Sequence, residues 1–71
     1  MTRTAVASSN LASVGYEVDC STLEVEFHSG AIYQYFQVPE SRFVGLMTAS
    51  SHGHYFDLYI KEAGYPFRRI R

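Results

Sequence analysis

The stretch Leu23-Glu24-Val25-Glu26-Phe27-His28-Ser29-Gly30-Ala31-Ile32-Tyr33-Gln34-Tyr35 decides the fold. Leu23, Val25 and Phe27 alternate with Thr22, Glu24, Glu26 and His28, the period of two that marks a half-buried strand. Ala31 to Val38 is rich in aromatic and β-branched residues and too short for a helix, so it reads as a second strand turned back by Ser29-Gly30. The register of this hairpin sets where the tyrosines go, because cross-strand partners share a face and a one-residue slip reverses it. A two-residue type I′ loop at Ser29-Gly30 sets Phe27 opposite Ile32 and Leu23 opposite Phe36, with Tyr33 and Tyr35 on the face of Glu24 and Glu26. A three-residue loop, His28-Ser29-Gly30, sets Phe27 opposite Ala31, Val25 opposite Tyr33 and Leu23 opposite Tyr35. The second is preferred, since type I′ forces positive φ on Ser29 whereas the longer loop asks it only of Gly30. The tyrosine rings then belong to the core, with their hydroxyls at its margin.

Upstream, Ala12, Val14, Tyr16 and Val18 alternate with Ser13, Gly15, Glu17 and Asp19, which predicts a first strand ending in the turn Asp19-Cys20-Ser21. Downstream, Pro39 suits the first turn of a helix, Glu40 complements its N-terminus, and Phe43, Leu46 and Met47 recur at i, i+3, i+4. This spacing predicts a helix from about Glu40 to Ala49, weakened at Gly45 by roughly 1 kcal/mol relative to Ala. Ser50-Ser51-His52-Gly53 breaks it, and either serine can cap a second short helix carrying Tyr55, Phe56, Tyr59 and Ile60, with Gly64 marking its end. Tyr65 to Arg71 reads as extended, an edge strand. The expected fold is α+β: a small three-stranded antiparallel meander followed by two short helices on one face, with a short extended C-terminal segment. Residues 1–7 form an N-terminal tail and residues 8–71 a single domain.

The chain has 71 residues, room for one domain and no more. Apolar residues make up 46% and charged residues 18%, which excludes a disordered segment. The net charge of −1 neither selects nor excludes polyanions. The one cysteine, Cys20, has no internal partner, so a reducing cytoplasm is the expected location. No stretch approaches the ~20 apolar residues of a membrane span, and the N-terminus lacks the apolar run of an export signal. A domain this small buries only about 60% of its unfolded surface, which favours a homodimer or higher oligomer.

The landmarks Ser8-Ser9-Asn10, Gly15-Tyr16, Leu23-Glu24-Val25-Glu26-Phe27, Ser29-Gly30, Tyr33-Gln34-Tyr35, Val38-Pro39, Ala49-Ser50-Ser51, Gly53, Tyr55-Phe56 and Ile60 stand in an order that resembles the KTSC domain family. The resemblance covers about residues 8 to 70. That family takes its name from the C-terminus of some lysyl-tRNA synthetases and also occurs as stand-alone small proteins of bacteria and their phages. RNA binding is the function this association implies, and it carries over no catalytic residue and no cofactor.

The tail Tyr65-Pro66-Phe67-Arg68-Arg69-Ile70-Arg71 mixes cations with rings, the combination that grips single-stranded nucleic acid. Tyr65, Phe67, Arg68, Arg69 and Arg71 are therefore the candidate nucleic-acid or phosphate contacts. The blander reading is that Phe67 and Ile70 anchor a strand while the arginines pair with Glu17, Glu24 or Glu26. Tyr33 and Tyr35 are candidate stacking residues, set against the reading that they fill a core lacking Trp. Glu24 and Glu26 would repel phosphate on the open sheet face. Backbone N–H groups at Ser50, Ser51 and Gly53 form a candidate small-anion loop. His52 and His54, with His28, Cys20 or Asp57, make only a weak metal signal, so no metal is expected. Ser51-His52 supplies no catalytic geometry, and the chain has little volume for the usual ~300–1,000 Å³ pocket, so an enzyme is not expected. The leading function is a small non-enzymatic module binding RNA or another nucleic acid weakly through its C-terminal segment. The alternatives are a phage-type oligomer that sequesters a nucleotide or other small anion, and a module that contacts a host protein.

Overall fold

The computed structural model describes the whole chain, residues 1–71. The elements run β1 (Thr4–Ala5), β2 (Leu11–Glu17), β3 (Thr22–Phe27), β4 (Ile32–Tyr35), α1 (Glu40–Thr48), α2 (His52–Phe56), a π-helical turn Asp57–Lys61 that continues α2, and β5 (Phe67–Arg69). The fold is α+β, but its antiparallel sheet has five strands in the order β1-β2-β3-β4-β5, not three. One addition, β5, is the expected extended C-terminal segment joined to the sheet as its edge; the other, β1, is two residues long and too short to carry an alternation pattern. They exist by pairing: Thr4 lies opposite Val14, and Tyr33, Gln34 and Tyr35 lie opposite Arg69, Arg68 and Phe67.

The central hairpin takes the three-residue loop. Val25 faces Tyr33 and Leu23 faces Tyr35. Phe27 N–H donates to Ala31 C=O at 2.9 Å, Gly30 N–H donates to Phe27 C=O at 2.9 Å, and Gly30 alone in the loop takes positive φ, +95°. Tyr35 is accordingly buried, 6% exposed.

Two departures at β2 have local causes. A bulge between Leu11 and Ser13 sets Leu11 opposite Phe27 and Ser13 opposite Glu26, leaving Ala12 as the extra residue. Leu11, which strict alternation groups with Ser13, thereby turns into the core and is fully buried. Val18, expected to face inward with Val14 and Tyr16, lies beyond the strand's end and is 59% exposed.

The helices close one face of the sheet. Leu46 of α1, Phe56 of α2 and Ile60 of the π-turn pack with Leu11, Val14, Leu23, Val25, Tyr35 and Val38 as one core. Each such apolar side chain contributes about 1.5–3 kcal/mol on burial. The Ser51 hydroxyl caps α2 by accepting from His54 N–H at 3.2 Å, and the helical segment ends before Gly64 at φ +86°. Gly45 has a role beyond weak propensity: a Cβ there would fall 2.6 Å from Cζ of Tyr55, so its bareness lets α2 lie against α1.

Candidate ligand groove

Pairing fixes which side chains share a face. On the helix-covered side, Tyr16, Leu23, Tyr35 and Phe67 form one row across the sheet, and Val14, Val25, Tyr33 and Arg69 form the next. On the open side the rows are Gly15, Glu24, Gln34, Arg68 and then Ser13, Glu26, Ile32.

The helices do not cover the β4–β5 end of their side. A groove of about 530 Å³ remains there, between the sheet and the π-turn. Its floor is aromatic: Tyr33 stacks beside Tyr35 with ring centroids 6.3 Å apart, and Phe67 lies 6.0 Å from Tyr33 and 5.6 Å from Tyr35. Phe56 and Phe27 meet these rings edge-on from below. Phe67 is 61% exposed, an unusual position for so large an apolar ring. Arg69 from β5 and Lys61 from the π-turn supply positive charge at the rim, and Asp57 supplies a carboxylate. Burial first, then the neighbouring Tyr33 and the Asp57 charge, push the Tyr35 hydroxyl above the usual phenol range, so it is a neutral donor and acceptor.

The two glutamates at the centre of the open face are paired within the chain. Arg3 reaches across from the N-terminal segment, its guanidinium 2.6 Å from Glu24 and 3.8 Å from Glu26, and donates to the Ser13 hydroxyl at 3.0 Å. Gln34 donates to Glu24 at 2.9 Å, and Arg71 reaches Glu26 at 3.4 Å. Burial raises the Glu24 carboxyl, but the hydrogen bonds from Gln34 and Arg3 and the positive charges of Arg3 and the amino terminus outweigh it. Its pKa is held below the usual 4.5.

The model of the KTSC domain matches residues 7–65 of this chain. The chain belongs to the KTSC domain family. An uncharacterised protein of Stutzerimonas stutzeri is 43% identical over 70 residues, 99% of each chain. The crystal structure of a KTSC domain protein from Yersinia pestis superimposes with a TM-score of 0.92 at 37% identity, covering 99% of this chain and 97% of that one. A lysine–tRNA ligase of Nostoc punctiforme is 46% identical over 46 residues, which span 65% of this chain and 8% of the ligase.

Within this KTSC domain the expected site residues divide. Tyr33, Tyr35, Phe67 and Arg69 meet at the groove. Arg68 falls on the opposite face beside Gln34, because neighbours along a strand point to opposite sides. Arg71 is occupied with Glu26 and donates to Gly30 C=O at 3.4 Å. Tyr65 packs half-buried against the core. Ser50, Ser51 and Gly53 line a second, polar depression of about 510 Å³ with Ser8, Ser9 and His54. The Ser51 hydroxyl is already spent on its helix cap. His52 Nδ1 donates to Leu46 C=O and His28 Nε2 to Ser8 C=O, each at 2.8 Å, so both rings carry a structural bond, and no three His, Cys, Asp or Glu side chains converge. The two depressions correct the expectation that so small a chain lacks pocket volume.

Lys61, Asn10 and Asp57 as groove walls have no separate signature in the sequence. The one available hint is that Asp57 and Lys61, four apart, share the exposed side of the second helical segment.

Proposed function

We propose that this KTSC domain is a small binding module without a catalytic step, and that it holds single-stranded RNA or another nucleic acid weakly in the groove. The observation that carries this reading is the convergence of Phe67, Tyr33 and Tyr35 with the Arg69 and Lys61 cations in one exposed depression. Rings that accept a stacked base beside cations that hold a phosphate are the elements of single-strand binding. The paired open face supports the same side for the ligand, since its glutamates point away from the groove. The similarity to a segment of lysine–tRNA ligases adds an RNA context. With two cations engaged, the slope of log K on log salt for a single strand is about −1.4.

The test is an anisotropy titration of labelled single-stranded RNA at low and moderate salt, with a Lys61→Ala, Arg69→Ala double variant and an Arg68→Ala control. Salt-sensitive binding lost in the double variant and retained in the control supports the groove. Absence of binding at low salt sinks the nucleic-acid reading.

A second reading is capture of a free nucleotide or other small anion. It is favoured by the size of the groove, which lies within the usual ~300–1,000 Å³ of ligand pockets, and by the adjoining polar depression at Ser50, Ser51 and Gly53. Assembly into a homodimer, a host-protein partner and a cytoplasmic setting remain part of the proposal. No helix is long and apolar enough to cross a membrane.

A further inference from the structure

Three polar side chains reach the aromatic groove with nothing in the chain to bind. All the ion pairs of the protein lie around Glu24 and Glu26, leaving Asp57 and Lys61 unpaired at the groove wall. The backbone of Asn10 is used, its N–H donating to Ser8 and its C=O accepting from His28, but its side-chain amide is not. Arg69 spends only its Nε, on Arg71 C=O at 3.2 Å. Of these groups the carboxylate discriminates most, because it accepts and never donates.

A planar base lying on the exposed Phe67 ring presents its edge to the wall, and the four bases differ there. Guanine alone offers two adjacent donors, N1–H and N2–H2, which match the two oxygens of a carboxylate. Adenine and cytosine offer one amino donor beside an acceptor nitrogen, and uracil one N–H between two carbonyls. Each of these leaves a carboxylate oxygen against a lone pair, and an unmade bond costs more than a made one gains. We propose that the groove selects guanine, its ring stacked on Phe67 beside the tilted Tyr33 ring, its N1–H and N2–H2 edge donated to Asp57, and its phosphate held by Lys61 and Arg69. This rests on the nucleic-acid reading above and names the base that reading leaves open.

The test uses the full chain and uridine octamers carrying one central guanosine, adenosine, cytidine or inosine, which lacks the N2 amino group, titrated by anisotropy. A bidentate contact is worth roughly 5- to 150-fold in discrimination, and the exposed position of Asp57 sets the expectation at the low end, about five- to tenfold for guanosine. Inosine and Asp57→Asn should each abolish that preference, and together should lose no more than either alone. Asp57 is exposed, so the variant folds, and inosine leaves the protein unchanged. Equal binding of all four octamers, or a guanosine preference that survives both changes, overturns guanine selection while leaving RNA binding in place. No binding by any octamer at low salt overturns both.

Discussion

The two faces of the sheet handle charge in opposite ways. At the centre of the open face the two glutamates are fully engaged: Arg3 bridges Glu24 and Glu26, Gln34 completes Glu24, and Arg71 completes Glu26, while Arg68 and Glu17 at its margins stay unpaired. On the helix-covered face the rings pack together, while Asp57 and Lys61 at the groove are left without one. A face whose charges are satisfied internally has little left for a ligand, whereas unpaired charges around an exposed aromatic floor do. The centre of the first face is committed to stability, and the second is the face proposed to bind.

The sharpest way to break this contrast is to remove the ring that both holds the core and underlies the groove. Phe56→Ala should cost about 3–5 kcal/mol, enough to unfold much of so small a domain, read as a fall in the urea midpoint. Gly15→Ala attacks the open face: a Cβ there would lie 2.7 Å from Thr2 C=O, a backbone atom that yields only if the N-terminal segment lifts. A loss of about 1–3 kcal/mol is expected, together with faster hydrogen exchange in β1 and unchanged groove rings by NMR. Equal disturbance on both sides would show that the faces are not separable.

Arg3→Ala should cost about 1–2 kcal/mol by leaving Glu24 nearly buried without its cation. It should also change the acid limb. Because the folded-state pKa of Glu24 is depressed below 4.5, the unfolded chain binds more protons between the two values. The stabilisation is therefore complete above about 4.5 and lost as pH falls through the folded-state value. In Arg3→Ala the folded-state pKa should rise toward 4.5, so this acid loss should shrink, and in Glu24→Gln it should vanish; identical acid titrations of all three proteins would refute the pairing. The smallest stability effect belongs to the binding side. Lys61→Ala with Arg69→Ala should move stability by no more than about 0.5 kcal/mol while abolishing RNA binding.

Much of the frame was legible in the sequence. The hairpin register followed from Ser29, which resists positive φ, beside Gly30, which accepts it. The first helix followed from the spacing of Phe43, Leu46 and Met47, and the second from a serine cap before Phe56 and Ile60. The floor of the groove was named through Tyr33, Tyr35 and Phe67, though in two separate groups. Arg68, Arg69 and Arg71 were grouped by nearness in sequence, and β5 distributes them, since a strand sends adjacent residues to opposite faces.

What the sequence determined by itself was local: turn sterics, strand alternation, helical spacing and caps, each written within a few residues of the feature it specifies. What only the tertiary structure decided was contact between distant segments. The strand β1, the pairing of the extended C-terminal segment with β4, the inward turn of Leu11, the need for bare backbone at Gly15 and Gly45, and the meeting of Asp57 and Lys61 with Phe67 and Arg69 are of this kind. Two or three residues at a sheet edge gain their hydrogen bonds only when a partner strand is already in place. A glycine next to a neighbour's ring looks, in sequence, like any other glycine.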